Sequence, residues 1–370
     1  MKAKRLLTAL LVLAMIVSLC ACGEKAEEPA AAPAAPATES AAQAAPAAPA
    51  ASNAKYTPEN PKEIQLGYTV AQVDTDPYIY ISNKFGEYLA EYGDGSITVK
   101  QFPDGQLGQE REMVEGMQLG TLDAGIITAA YMGQLVPKAN AINLPFLIPS
   151  YEAAKEVFLG DIGKEIADSF TGTGVKLLCT GSVGYRHLCA VGTPVYSPAD
   201  LNGVKVRCME NDIYLGTYEA IGSNATPMAW GEVVTALQQG TIEALDLSMT
   251  TIMSNGTASV LHYISKTGHF YNAIGICLSE SLWNEFTPEQ QAFVQKAADA
   301  AAADCYDYVI EYDASAQKDV EDYGITVVET DEIDVESFKG MCADLYNEMA
   351  DLCGGADWIA KYRAAFDAAA

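Results

Sequence analysis

The pattern of apolar and polar positions along most of the chain predicts strands that alternate with helices. Residues 64–70 are mostly apolar, and residues 97–102 alternate between apolar and polar, as β-strands do. Residues 78–92 and 110–119 are predicted to be helices, and Gly120 is a natural stop for the second of them. Strands that alternate with helices indicate an α/β fold.

A short sequence pattern occurs twice, 120 residues apart, as QLGTLDAGIIT at 118–128 and QQGTIEALDLS at 238–248. In each copy a helix is expected to end at Gly and a short apolar strand to follow. The repeat predicts two similarly built lobes, although a common helix–strand connection would give the same pattern. Ligands in open α/β sheets gather beyond the carboxyl ends of strands, which directs attention to Thr128–Tyr131 and Asp246–Ser248.

A long helix is predicted towards the carboxyl end. Thr287–Gln290 supplies a capping residue, a proline for the first turn and the Gln of a capping box. No Gly or Pro follows until Gly324, so the helix would have about 35 residues and a length of about 50 Å. That length is sufficient to cross both lobes.

The first residues have the three zones of an export signal. A basic start is followed by the uncharged apolar residues 6–19, a run shorter than the roughly 20 residues that span a bilayer. The sequence LCAC at 19–22 resembles the bacterial lipobox. The resemblance implies a signal peptide over residues 1–21 and lipidation of Cys22. A plain secretory signal with an incidental cysteine is the alternative.

Residues 22–61 are rich in alanine and proline. Proline interrupts the helix that alanine favours, and no large apolar residues are available to form a core. We expect an extended tether that holds residues 62–370 away from the membrane. One acyl chain anchors weakly, so permanent attachment would need several chains.

The charge of the chain excludes some classes of partner. Its 22 Lys and Arg residues face 49 Asp and Glu residues, for a net charge of −27. This opposes binding to nucleic acid or to an anionic membrane surface, so the lipid is the only membrane contact expected. A bound anion would depend on a few arginines after the signal peptide: Arg111, Arg186, Arg207 and Arg363.

No motif for catalysis or for metal binding is present. The three histidines have no zinc or nucleophile spacing, and no phosphate loop, dinucleotide fingerprint or G-x-S-x-G occurs. The cysteines after Cys22 also lack zinc spacing, and most are expected to be small core residues. Whether Cys342 and Cys353 form a disulfide bond is left open. We therefore expect a binding protein without cofactor or metal, rather than an enzyme.

Short segments in a fixed order across most of the chain give the strongest indication of function. They are Gln106–Glu112, Asn143–Phe146, Gly184–Arg186, Ser197–Arg207, Ala220–Trp230, Glu232–Gly240 and Lys266–Phe270. Together they resemble the substrate-binding proteins of tripartite ATP-independent periplasmic (TRAP) transporters, the DctP-like family. The resemblance implies a two-lobe Venus-flytrap fold of the α/β class with a long helix running across both lobes.

The same resemblance implies how the lobes are divided and what they bind. Lobe I is expected at 62–184 and 273–312, and lobe II at 185–272 and 313–370. A small organic acid would be captured between them and delivered to the ion-coupled membrane subunits of the transporter. A binding lipoprotein of an ATP-driven importer or sensor, and a purely structural surface lipoprotein, are the alternatives.

Three side chains match positions that hold the ligand in that family. Arg207 matches the arginine that grips a carboxylate, a role suited to its planar and permanently charged guanidinium. Arg186 matches a second arginine that assists, and Trp230 an aromatic position that packs on an apolar ligand stem. The alternatives are a salt bridge at a strand end for Arg207, a structural ion pair for Arg186 and a place in the core of a lobe for Trp230.

The chain departs from the family where Gln-Glu-Asn-Pro is common, since it has Leu-Asp-Leu-Ser at 245–248. Leu247 replaces the asparagine that reaches the ligand and Asp246 replaces the glutamate, so we expect a different and more apolar ligand.

The remaining candidates are positional. Thr128 and Tyr131 follow the strand of the first repeat copy. Asp74 and Asp76 follow the first strand, where they would accept an ammonium group or a cation, or form a solvated turn.

Overall fold

The structure is a computed structural model that describes residues 54–370. The predicted signal peptide, Cys22 and the tether up to residue 53 lie outside the described residues. Within the described part of the chain, no helix is long and apolar enough to cross a membrane.

Nine strands of the described residues form one mixed sheet, in the order β2-β1-β3-β8-β4-β7-β5-β6, with β9 paired to β8. They are β1 (Lys62–Gly67), β2 (Ile97–Phe102), β3 (Ala124–Thr128), β4 (Val175–Ala190), β5 (Lys205–Cys208), β6 (Asn224–Pro227), β7 (Ala244–Ser248), β8 (Tyr263–Ser279) and β9 (Thr326–Val328).

Two long antiparallel strands form the centre of this sheet. β4 has 16 residues and β8 has 17, and they pair along most of their length. β3 pairs with the carboxyl-terminal part of β8, whereas β7 pairs with the carboxyl-terminal part of β4. The sheet therefore has two halves that share β4 and β8: a first half with β1–β3, and a second half with β5–β7. The division into lobes at 184/185, 272/273 and 312/313 stays a prediction.

The helices pack against this sheet. They are α1 (Pro77–Tyr92), α2 (Glu110–Gln118), α3 (Ala129–Leu135), α4 (Pro137–Asn140), α5 (Tyr151–Leu159), α6 (Asp161–Asp168), α7 (Asp212–Ala220), α8 (Val233–Gln238), α9 (Glu280–Trp283), α10 (Pro288–Tyr323), α11 (Val335–Met341), α12 (Leu345–Glu348) and α13 (Ala356–Ala369). Alternation of strands and helices confirms the predicted α/β class.

The predicted long helix is α10, with 36 residues. The Thr287 side chain accepts a hydrogen bond from the Gln290 N–H, and Gln290 completes the capping box. The helix ends before Gly324, whose φ of 106° lies in the left-handed region that glycine adopts without strain. Alanines such as Ala298 and Ala301 are fully buried, which lets α10 approach α1 and β4 closely.

The sequence repeat corresponds to the same structural unit in each half. α2 ends at Gln118, Gly120 has a φ of 71°, and β3 follows. α8 ends at Gln238, Gly240 has a φ of 69°, and β7 follows. Because β3 and β7 lie on opposite sides of the β8–β4 pair, the two copies place their strand ends in facing halves.

The cysteines of the described part are all buried and free. Cys342 and Cys353, whose pairing the sequence left open, are not bonded to each other. They are 1% and 0% exposed within the largest hydrophobic cluster, as expected for small core residues.

Candidate functional site

A cavity lies between the two halves of the sheet, beyond the carboxyl ends of β3, β5 and β7. Its lining residues are Thr69, Val70, Tyr78, Gln109, Glu110, Thr128, Tyr131, Arg186, Arg207, Met209, Trp230, Leu247, Thr251 and Asn272. Six predicted residues are therefore brought together: Arg207, Arg186, Trp230, Leu247, Thr128 and Tyr131.

Arg207 is a buried cation in this lining. It stands on β5 and is 2% exposed. Its Nε and Nη2 donate to the Met228 carbonyl oxygen at 3.0 and 2.7 Å, and its guanidinium carbon lies 5.8 Å from the centre of the Trp230 ring. Among the described residues it forms no salt bridge, and burial together with the charge of Arg186 lowers its pKa. Within the described residues no carboxylate pairs with Arg207, and Glu110 is the one acidic side chain in the same lining.

Arg186, by contrast, has a counterion. Its Nε donates to Asp246 Oδ2 at 2.8 Å, and its Nη2 donates to Asp246 Oδ1 at 3.0 Å. Pairing of β4 with β7 sets Arg186 opposite Ser248, which brings Asp246 within reach. Burial would raise the pKa of Asp246, but the charge of Arg186 holds it below its ordinary value. Asp246 lies beneath Arg186 rather than in the lining, so it neutralises one of the two arginines.

Thr128 and Tyr131 line the cavity, but their polar groups are already bonded. The Thr128 N–H and hydroxyl both donate to the Glu110 carboxylate, at 2.7 and 2.9 Å. The Tyr131 hydroxyl donates to Glu210 Oε2 at 2.6 Å. These two side chains therefore present mainly carbon atoms to a ligand. Leu247, which is 4% exposed, adds a further apolar contact.

Asp74 is not brought into the cavity. It is exposed in the segment between β1 and α1 and is absent from the lining. Asp76, two residues later, is 0% exposed and caps α1 by accepting the Tyr78 N–H at 2.9 Å.

Eight lining residues were not singled out from the sequence, and three of them, Glu110, Tyr78 and Asn272, carry polar groups that bear on the chemistry of the cavity. Glu110 is 5% exposed, and burial raises its pKa to about 7 against the opposing hydrogen bonds from Thr128. Glu110 is the first residue of α2, directly after Gln109, and Tyr78 follows Pro77 in the first turn of α1. A position at the start of a helix could have suggested both residues. Asn272 lies within the long strand β8, where no sequence signal marks it.

Within residues 54–370, no three His, Cys, Asp or Glu side chains converge in a way that could hold a metal ion. The cavity as described offers two guanidinium groups, an aromatic ring and aliphatic contacts. This combination suits an anionic head with a carbon stem.

Comparison with protein families gives one match across most of the chain. The family model described as bacterial extracellular solute-binding protein, family 7 (DctP), matches residues 68–352. A solute-binding protein of Verminephrobacter eiseniae is 33% identical over 260 residues, which cover 70% of this chain and 77% of the relative. The 2,3-diketo-L-gulonate-binding periplasmic protein of Escherichia coli is 30% identical over 240 residues, covering 65% and 73%.

Solved structures show the same architecture. A TRAP periplasmic solute-binding protein from Polaromonas, bound to D-erythronate, has a TM-score of 0.77 at 30% identity and covers 81% of this chain and 98% of its own. A TRAP periplasmic solute-binding protein from Bordetella, with density interpreted as pantoate, has a TM-score of 0.77 at 29% identity and covers 81% of this chain and 98% of its own. One from Roseobacter denitrificans, with L-galactonate, has 0.74 at 29% identity, covering 82% and 98%. The predicted two-lobe fold is thereby confirmed.

Proposed function

Because the chain belongs to the DctP family of bacterial extracellular solute-binding proteins, we propose that it captures a small organic carboxylate for a TRAP transporter. The observation that carries the proposal is Arg207, a buried cation without a described counterion in the lining between the two lobes. A buried charge without a partner is costly, and a bound carboxylate would remove that cost.

The hydrogen bonds of Arg207 indicate which edge of its guanidinium would meet the ligand. The Met228 carbonyl accepts from Nε and from Nη2. A guanidinium has five N–H groups, so three remain, two on Nη1 and one on Nη2. Those of Nη1 and Nη2 form a parallel pair that fits both oxygens of one carboxylate. Arg186, whose charge is balanced by Asp246, adds a second guanidinium group to the same cavity.

The apolar part of the lining favours a ligand with carbon surface next to its carboxylate. Trp230 and Leu247 provide that surface, while Tyr78 and Asn272 are positioned to bond hydroxyl groups. The ligands of the three solved relatives, D-erythronate, pantoate and L-galactonate, define a screening set. Of these we propose that pantoate, whose stem carries two methyl branches and only two hydroxyl groups, suits the leucine at 247 better than the polyhydroxylated L-galactonate.

The cellular setting is also a proposal. Cys22 would carry the lipid, and residues 22–61 would tether the lobes near the membrane subunits that receive the solute. A tether raises the local concentration of the loaded protein at its partner, which favours transfer without a tight complex.

A thermal-shift screen of the chain from Gly23 onwards tests the proposed function. Pantoate, D-erythronate and L-galactonate are each compared with erythritol, which matches D-erythronate but lacks the carboxylate. A ligand at a hundred times its dissociation constant adds about 2.7 kcal/mol to the free energy of unfolding. We expect at least one acid to raise the melting temperature and erythritol to leave it unchanged. Equal responses to D-erythronate and erythritol, or none to any acid, would refute the proposed function.

A further inference from the structure

A largely buried polar cluster joins the two halves of the sheet beside the cavity. It consists of Asp76, Ser254 and Asn255. Asp76 belongs to the segment between β1 and α1, and the other two lie in the segment that follows β7. Because β1 and β7 are on opposite sides of the β8–β4 pair, every bond between these segments crosses from one half to the other.

Two hydrogen bonds make the crossing. The Ser254 hydroxyl, which also lies 3.0 Å from the Thr251 carbonyl oxygen, donates to the charged acceptor Asp76 Oδ2, and the Ala71 N–H donates to Asn255 Oδ1 at 3.1 Å. A third bond supports them, since Asn255 Nδ2 donates to Ser254 Oγ at 2.6 Å and so directs the serine hydroxyl towards the carboxylate. Ser254 is 7% exposed and Asp76 is 0% exposed, so water has little access to the bond between them, whereas Asn255 is half-buried.

The cluster is continuous with the wall of the cavity. Val70, which lines the cavity, immediately precedes Ala71. Thr251 also lines it, and its carbonyl accepts a bond from Asn255 Nδ2 at 3.3 Å. Movement of the halves away from each other would therefore break both crossing bonds and open this side of the cavity. The first segment is also bonded to α10, since the Tyr308 hydroxyl donates to the Thr75 carbonyl at 2.7 Å, and the Tyr308 ring stacks on Tyr80 of α1 in the first half.

The charge of Asp76 strengthens the crossing. Its bonding partners are the neutral Ser254 hydroxyl and the Tyr78 N–H, and no cation pairs with it among the described residues. Burial raises the pKa of Asp76 to about 6, so the carboxylate is mostly ionised at neutral pH. A hydrogen bond to an ionised group is stronger than one between neutral groups, and it is lost when the halves separate.

We infer that Asp76, Ser254 and Asn255 form a latch that stabilises the closed arrangement of the two lobes and slows the release of a captured ligand. The role in ligand release rests on the proposed function, whereas the effect on closure does not. These are positioning residues, since none of the three lines the cavity. The Asp76 bond to the Tyr78 N–H caps α1 independently of closure, so Ser254 is the side chain that isolates the latch.

Single-molecule energy transfer tests the latch in the chain from Gly23 onwards. Dyes on Thr98→Cys in β2 and Glu219→Cys in α7, both exposed, report the separation of the two ends of the sheet. The native cysteines that remain in this chain are buried and would not be labelled. Closed-state dwell times are measured without ligand and with D-erythronate. Ser254→Ala is compared with Ser259→Ala, an exposed serine of the same segment whose hydroxyl bonds only to Gly256.

We expect the closed-state dwell time of Ser254→Ala to be about tenfold shorter than that of the unsubstituted chain, with Ser259→Ala unchanged. The open form lacks the bond between Ser254 and Asp76 whether or not Ser254 is present, so the melting temperature of the open form should not differ between the two variants. Asn255→Asp, which sets a second carboxylate beside Asp76, should shorten the dwell time as well. Equal dwell times in Ser254→Ala and Ser259→Ala would overturn the latch. A chain that never closes, either without ligand or with D-erythronate, would overturn the latch too. That outcome is separate from the thermal-shift screen, which tests only whether an acid binds.

Discussion

Replacing Arg207 is the sharpest perturbation of the proposed site. Arg207→Ala removes the guanidinium and leaves a ligand carboxylate buried without its main partner. Truncating one side of a buried, hydrogen-bonded charge pair costs about 2–5 kcal/mol. At about 1.4 kcal/mol per factor of ten, the dissociation constant should rise about 30-fold to about 4,000-fold.

Arg207→Lys separates charge from geometry. Lysine keeps the positive charge but has no planar fork, so it cannot bond the Met228 carbonyl and both carboxylate oxygens as the guanidinium does. We expect its affinity to fall between those of the unsubstituted chain and Arg207→Ala, with a loss of at least about tenfold. Lys205→Ala, on the same strand but with an exposed side chain, is the matched control and should bind normally.

Isothermal titration calorimetry with the strongest acid from the screen measures these constants, and circular dichroism with thermal unfolding checks that each variant is folded. A folded Arg207→Ala chain that binds with unchanged affinity would refute the reasoning. So would an equal loss in Lys205→Ala, because that result would mean a general effect on β5 instead of a lost ligand contact.

Three further predictions concern specificity, pH and anchoring. Leu247→Asn should shift the ratio of affinities for L-galactonate and pantoate about tenfold towards L-galactonate, and an unchanged ratio in competition calorimetry would contradict this. Since burial raises the pKa of Glu110 from 4.5 to about 7, its contribution to stability is present below pH 4.5 and is lost as the pH rises through 7. The free energy of unfolding in urea is measured at pH 5 and at pH 8. Its decrease between these pH values should be smaller for Glu110→Gln than for the unsubstituted chain, by at most about 3 kcal/mol. Equal decreases would contradict the assignment. Cys22→Ala should move the protein from the membrane fraction to the soluble fraction on fractionation, and retention in the membrane would contradict lipid anchoring.

Much of the fold could be predicted because its signals are local. The ends of α10 are set by the Thr287 cap and by Gly324, and both act within a few residues of sequence. The first strand is shorter than predicted and ends at Gly67, after which the chain leaves the sheet. Tyr68 and Val70 pack in the core, and Val70 also lines the cavity. Hydrophobicity alone does not distinguish these uses from a place in a strand.

The site was harder to predict because its contacts are distant in sequence. Asp246 is adjacent to Leu247, yet only Leu247 is in the lining, since neighbouring residues of a strand point to opposite faces. Pairing of β4 with β7 places Asp246 next to Arg186. The register of this pairing cannot be obtained from the sequence of either strand alone. Asn272 likewise reaches the cavity only because β8 crosses both halves of the sheet.

A crystal structure of the chain with the acid that binds most strongly tests the central claim most directly. The account predicts that the ligand carboxylate lies between the two lobes, with both oxygens about 3 Å from Nη1 and Nη2 of Arg207 and the carbon stem against Trp230 and Leu247. A ligand bound outside this cavity, or one whose carboxylate does not touch Arg207, would contradict it.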